Sequence, residues 1–401
     1  MFWKQSKRIY LDYAAAAPIR PEVLTTMEDC SRRFFANPSS IHLEGDTAKK
    51  AFASARARVA ALLQVKPSEI VFSGSGTESC NLAIFGLARA NKTRGKHIII
   101  SALEHKAVLE PALKLRDEGF EVEILPLNSR GIASTIELEK MLRSDTILVS
   151  IMHANNEIGT IQPVHEIGNI IRKFNESKTA AYSPLPTACL FHIDACQSFN
   201  YLNVFPNSFN CDALSLNSSK VGGPKGVGLL FLKHGTKIEP IIFGGGQEGG
   251  LRSGTENLTA ILGFAKALEL AKTERESESV RLTELRQNFA HEILTRIQDS
   301  KLNGDPDKRL PNNVNISFAG IDGEELVLNL DDAGVACSTG SACSLIAGSA
   351  SHVLKALGQN DTESHESVRF TLGHNTTKKE LDVTVSALEE IIKRLRSYKI
   401  I

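Results

Sequence analysis

Cys211-Asp-Ala-Leu-Ser-Leu-Asn-Ser-Ser-Lys220-Val-Gly-Gly-Pro-Lys-Gly226 begins as an apolar, strand-like run, with Ala213, Leu214 and Leu216, and ends in small hydroxyl and amide residues. It then delivers a lysine and breaks into glycines and a proline, which places Lys220 at the end of a strand. A lysine at the lip of a buried strand is desolvated, which depresses its pKa and frees the amine as a nucleophile. A solvated loop lysine would look the same on this stretch alone. The second reading loses ground to a run upstream, Phe191-His-Ile-Asp194-Ala-Cys-Gln197-Ser, an apolar strand that ends in a carboxylate with an amide three residues later.

Outward from these two strands the pattern alternates regularly. Strands are expected at 97–101, 121–127 and 146–153, with helices at 107–118, 134–142 and 164–174 between and after them. Such alternation implies βαβ units, a mostly parallel sheet flanked by helices, and ligands at the carboxyl ends of the strands. Thr77, His105, Asn155, Asp194, Gln197 and Lys220 all fall at such ends. A lysine able to form a Schiff base, with an aspartate partner for a ring nitrogen, is the pattern of pyridoxal phosphate (PLP) sites. Glu69-Ile-Val-Phe-Ser-Gly-Ser-Gly-Thr77-Glu-Ser reads as strand, loop and helix start, so 74–77 form an anion cup. The same residues also suit an ordinary helix start with Thr77 as the cap and Glu78 behind it.

Composition narrows the class. The 401 residues are 42% hydrophobic and 23% charged, enough for a large core and two domains. Lys plus Arg and Asp plus Glu stand at 46 each, which argues against direct nucleic-acid or membrane binding and for a small-molecule partner. The seven cysteines are odd in number and lack CxxC spacing, so free thiols in a reducing compartment are expected. With no apolar leader and no run near the roughly 18 apolar residues of a membrane span, the expectation is a cytoplasmic protein with no membrane partner and no metal.

The remaining segments divide the chain. Helices are expected at 20–35 and 47–63, and 175–187 reads as a long exposed loop. Residues 243–255 are rich in glycine, as where backbone approaches something closely. A long helical connector over 255–299 leads to strand 313–318, helix 324–331, helix 351–357, strand 368–372 and a closing amphipathic helix 378–396. This gives a large domain at 14–260 and a smaller α+β domain from 1–13 with 261–401. Cys337, beside Val335 and Ala336, reads as an inert thiol, whereas Cys343 sits among small polar residues as a reactive thiol requires.

The chain resembles the cysteine desulfurases, PLP enzymes of fold type I, and looks most like the branch serving iron-sulfur cluster assembly and tRNA thiolation. The resemblance runs end to end and rests on Asn37-Pro-Ser-Ser with His42, Gly76-Thr-Glu-Ser, Glu104-His105-Lys106, Asn155-Asn-Glu-Ile-Gly159 and His192-Ile-Asp194-Ala-Cys-Gln197. It continues through Gly223-Pro-Lys-Gly226, Gly244-Gly-Gly-Gln-Glu, Arg252-Ser-Gly-Thr255, Gly340-Ser-Ala-Cys343 and Arg369-Phe-Thr-Leu-Gly373. It implies Lys220 as the Schiff-base lysine, Asp194 at the pyridinium nitrogen, Gln197 at the ring oxygen and His105 stacked on the ring and moving protons. The phosphate would lie on Gly76 and Thr77, with Thr255 arriving from the partner of a homodimer. Asn155 and Arg369 would hold the carboxylate of L-cysteine, and Cys343 would take its sulfur as a persulfide for an acceptor protein.

The sequence also departs from the family. Asn217 and Ser219 stand where a phosphate-contacting serine and histidine are usual, Ala14 to Ala17 lack the usual threonines, and His374 replaces an arginine. An aminotransferase or selenocysteine lyase on the same fold would share most of these motifs. A decayed, cofactor-free interaction protein would explain Asn217 and Ser219 but not the retention of Lys220, Asp194, Gln197, His105 and Arg369.

Overall fold

Ile98 and Ile100 point to one face of their strand and Ile99 to the other, and all three are fully buried. A strand apolar on both faces needs cover on both sides, which is why the central sheet lies between two layers of helices. The computed structural model describes residues 8–179, 188–340 and 350–398.

The described strands are β1 (Ile9–Tyr10), β2 (Ile70–Ser73), β3 (His97–Ser101), β4 (Glu121–Leu125), β5 (Thr146–Ser150), β6 (Leu190–Asp194), β7 (Ala213–Asn217), β8 (Gly228–Leu232), β9 (Ser300–Leu302), β10 (Asn313–Phe318), β11 (Val335–Ala336) and β12 (Ser367–Thr371). The α-helices are α1 (Pro21–Arg33), α2 (Leu43–Leu63), α3 (Gly76–Asn91), α4 (Lys106–Arg116), α5 (Thr135–Met141), α6 (Val164–Thr179), α7 (Leu258–Arg296), α8 (Gly323–Asp332), α9 (His352–Ala356), α10 (Asp361–His365) and α11 (Lys378–Tyr398).

The large sheet has the order β2-β8-β7-β6-β5-β3-β4, and within it only β8 runs antiparallel. On one face, α3 and α4 pack Leu82, Val108 and Leu115 onto Ile98 and Ile100. On the other, α1, α2, α6 and the start of α7 pack Val23, Val59, Ile171 and Phe264 onto Ile99, Val149 and Phe191. Replacing Ile99 by alanine would cost about 2–5 kcal/mol, because its neighbours come from several elements and cannot all close on the void.

A second core lies around the antiparallel sheet β12-β10-β9, where α7, α8 and α11 cover Ile316, Phe318 and Phe370. Phe289 of α7 meets Phe370 edge to face, with ring centroids 5.4 Å apart. The chain start joins this core, since β1 pairs in parallel with β11 and buries Ile9 and Leu11 there.

Two boundaries differ from the sequence reading. The division between cores runs inside α7 and not at residue 260, because Leu258–Leu268 belong to the large core and Leu282–Ile293 to the small one. The expected loop begins later, because α6 continues to Thr179 and the Asn175 side chain ties that turn to the backbone of Cys189 at 2.8 and 2.9 Å. The rest of that stretch, 180–187, lies outside the described residues.

Candidate active site

The carboxyl ends of β5, β6 and β7 and the first turn of α3 meet at a cavity of about 250 Å³. Gly76, Thr77, His105, Asp194, Gln197, Asn217, Lys220 and Arg369 are among the residues that line it. These eight residues are spread over nearly 300 positions of sequence. Crossovers of the large sheet return the chain to the same edge for seven of them, while Arg369 arrives from β12 of the small antiparallel sheet.

β7 ends at Asn217, a single 3₁₀ turn follows, and Lys220 closes it. Its Nζ donates to the carbonyl of Ala14 at 2.7 Å and also to that of Ala15. Burial pushes its pKa below the usual lysine value, as a nucleophilic amine needs. Asp194, at the end of β6, is 6% exposed, and its Oδ1 accepts the Cys196 N–H at 2.9 Å. Gln197 donates from Nε2 to Ala14 O at 3.0 Å.

His105 caps α4, and its Nδ1 accepts the Ala107 N–H at 3.0 Å. A nitrogen that accepts carries no proton, so the neutral ring holds its proton on Nε2. Burial lowers the His105 pKa, which favours that neutral form. Next to it, burial raises the Glu104 carboxyl to about 8.

Ser75, not Thr77, caps α3, accepting the Glu78 N–H at 3.1 Å. That corrects the capping role expected of Thr77, which instead lines the cavity beside the first-turn N–H groups. Asn217 turns its Oδ1 toward Ser219, accepting from the Ser219 backbone N–H and hydroxyl at 3.3 Å each.

Other expected residues stand elsewhere. Asn155 is fully buried behind the cavity wall, its Oδ1 accepting the N–H groups of Glu157 and Ile158 and its Nδ2 donating to Leu103 O at 3.1 Å. Its neighbour Asn156 lines the cavity instead. Ser219 supports Asn217 and does not reach the lining, and Thr255 is exposed on the glycine-rich stretch away from the cavity. Cys343 lies outside the described residues, three positions past Gly340, which does line the cavity. Cys337 packs against the small core, and burial pushes its thiol pKa up.

Sequence reasoning missed the backbone of Ala14 and Ala15, which offers acceptors to Lys220 and Gln197, because a carbonyl leaves no residue signature. It also missed a pair of thiols at the cavity floor, Cys80 one turn into α3 and Cys196 after β6. Hydrogen bonding to Cys80 and burial hold the Cys196 thiol well above its ordinary pKa.

The donors and acceptors fit a phosphorylated pyridine aldehyde. A helix N-terminus with a free hydroxyl suits the phosphate, a buried carboxylate suits a protonated ring nitrogen, and a desolvated lysine suits covalent attachment. The fold and this site define a PLP-dependent transferase of fold type I, and the chain belongs to the aminotransferase class-V family, whose profile matches residues 9–383. Within it, the chain belongs with the cysteine desulfurase relatives: it is 46% identical to the cysteine desulfurase IscS of Dictyoglomus turgidum, over 98% of this chain and 96% of that one. Among solved structures it is similar to a NifS-like protein, with a TM-score of 0.88 and 35% identity over 96% of this chain and 99% of that one. A structure of SspA in complex with cysteine is also similar, with a TM-score of 0.77 and 34% identity over 91% and 98% of the two chains.

Proposed function

We propose that this chain converts L-cysteine to L-alanine and passes the sulfur, as a persulfide on Cys343, to an acceptor protein. The observation that carries the reading is the convergence of Lys220, Asp194, Gln197, His105 and Arg369 on one cavity. PLP, when bound, supplies the electron sink that acidifies the substrate Cα–H. With PLP bound, Lys220 would hold the cofactor covalently, Asp194 would keep a proton on the ring nitrogen, and Gln197 would donate from Nε2 to the ring oxygen. Thr77 and the first turn of α3 would receive the phosphate. His105 would give its Nε2 proton to the carbon skeleton of the substrate, and Arg369 would receive the substrate carboxylate.

The Cys343 thiolate then attacks the substrate sulfur. A sulfur–sulfur bond forms, the bond from sulfur to Cβ breaks, and the electron pair left on the carbon skeleton ends in a C–H bond of alanine after protonation. Aqueous persulfide is labile, so a dedicated acceptor protein is part of the reading, in iron-sulfur cluster assembly or tRNA thiolation within the cytoplasm. The working unit is a homodimer in which Thr255 reaches the phosphate in its partner. Among the described residues no helix is long and apolar enough to cross a membrane.

Cys343→Ser tests the reading. The variant is expected to keep the visible absorption of bound PLP and to bind L-cysteine, while alanine formation falls by at least about a thousandfold because the step needs a sulfur nucleophile. Sulfide and alanine released at the native rate would instead make the protein a lyase. Transamination products from either protein would make it an aminotransferase.

A further inference from the structure

Arg369 is 2% exposed, and most of its guanidinium is already engaged. Nη2 donates to Oδ1 of Asp12 at 2.8 Å, while Nη1 donates to the carbonyl of Asn156 at 3.1 Å and to that of Gly340. Nε is buried and has no partner among the described residues. One carboxylate is thus already seated on the cation that is to receive another.

Asp12 is held there by backbone register. Leu11 O accepts the Thr371 N–H at 2.7 Å, and Ala14 N donates to Thr371 Oγ1 at 2.9 Å. Tyr10 adds a hydroxyl bond to Asp12 O at 3.1 Å and another to Ala16 O at 2.7 Å. Thr371 lies two residues beyond Arg369 on β12, so both side chains share one face of that strand. The pairing of the chain start with β12 therefore delivers the Asp12 carboxylate to Arg369.

We propose that Asp12 is a specificity-determining residue of the substrate site: it competes with the α-carboxylate of an amino acid for Arg369 and so sets how tightly that carboxylate is held. The inference rests on the reading of Arg369 as the carboxylate receptor. Two effects oppose each other. Asp12 steadies the guanidinium plane, which favours binding, and it is a like charge beside the incoming carboxylate, which disfavours it. The plane keeps its two carbonyl anchors on Nη1 without Asp12, so orientation survives removal of the charge. The like-charge repulsion does not survive it. For two carboxylates about 5 Å apart, discounted for the partial exposure of Asp12, it is worth on the order of fivefold in binding. Charge outweighs orientation. The consequence is functional, because L-alanine carries the same amine and carboxylate as L-cysteine and a partly neutralised receptor releases it more readily.

The test titrates the PLP-loaded protein with L-alanine and with ethylamine, which is alanine without its carboxylate, following the visible absorption of the bound cofactor. The native protein is expected to bind L-alanine more tightly than ethylamine; equal affinities would overturn the reading of Arg369 and this inference with it. Asp12→Asn keeps an acceptor oxygen and removes the charge, so L-alanine should bind about three- to tenfold more tightly, with ethylamine unchanged. Should Asp12→Asn fold poorly, Asp12→Ser carries the same expectation. Unchanged or weaker L-alanine binding, with the native preference intact, overturns the proposal and leaves Arg369 as the receptor. An equal change for both ligands also overturns it, since that would be a general disturbance of the cavity.

Discussion

Gly76 and Asn217 are packed with no space for a side chain between them: a Cβ on Gly76 would stand 2.9 Å from Cβ of Asn217, and 2.8 Å from the Cys196 sulfur. The contact seats the N-terminus of α3 against the end of β7, three residues before Lys220. It sets the span between the anion end of the cavity and the amine.

Gly76→Ala should therefore separate folding from cofactor retention. The methyl must push α3 outward, which costs about 1–3 kcal/mol of stability. It also moves the first-turn N–H groups and the Thr77 hydroxyl together. PLP retention measured by equilibrium dialysis is expected to fall by about tenfold or more, since several charge-assisted hydrogen bonds weaken at once. Native retention would show that α3 does not carry the phosphate.

Much of this arrangement was legible in the sequence because it follows from periodicity and punctuation. The strands at His97–Ser101 and Asn313–Phe318 have the bounds that their apolar runs suggest. Lys220 and Asp194 stand at strand ends because polar residues close apolar runs there. Helix α6 outran its expected end because a polar tail still fits a helix once Asn175 anchors it to Cys189. The pairing of Asp12 with Arg369 joins residues 357 positions apart, and nothing local in either stretch encodes it. Asn155 fell at a strand end like the others, but strand-end position does not say whether a side chain points into a cavity or back into the turn.

Asn155 yields a stability prediction for that reason. Its Oδ1 satisfies two buried N–H groups, which Asn155→Ala would leave without acceptors. The loss is expected to be about 2–4 kcal/mol in urea denaturation, with L-alanine affinity of the folded protein changed only slightly. Native stability together with lost L-alanine binding would return Asn155 to the substrate site.

Glu104 makes stability depend on pH. Burial raises its folded pKa to about 8, above the 4.5 of the unfolded chain. The folded protein then binds the extra proton between these values, so this contribution is fully present below about 4.5 and is lost as pH rises through about 8. Its Oε1 accepts from Ser101 Oγ at 2.6 Å and from Met152 N at 2.8 Å, and Oε2 has no partner among the described residues. Glu104→Gln removes the ionisation and keeps the shape. Thermal melts should show the variant gaining on the native protein from pH 5 to 9. A constant difference across that range would mean that Glu104 does not titrate there.

Phe35, Ile41, Leu43 and Phe243 are large apolar side chains, each at least 75% exposed on the single chain. Isolated exposed apolar residues are ordinary, but Ile41 and Leu43 flank the N-cap of α2, and Phe243 opens the glycine-rich stretch that carries Thr255. A surface meant for a second copy accounts for both groups, and it would bring the Thr255 hydroxyl to a cavity that its own chain does not let it reach. Sedimentation should find a dimer. Ile41→Asp with Phe243→Asp is expected to shift it toward monomer, because charges buried without partners weaken an interface by several kcal/mol. Thr255→Val distinguishes contact from assembly: it should leave the dimer intact and weaken PLP retention by about three- to tenfold, the loss of one hydrogen bond to a charged group. A dimer with native PLP retention in Thr255→Val would mean that each cavity is completed by its own chain. A double aspartate variant that stays dimeric would place the interface on another face.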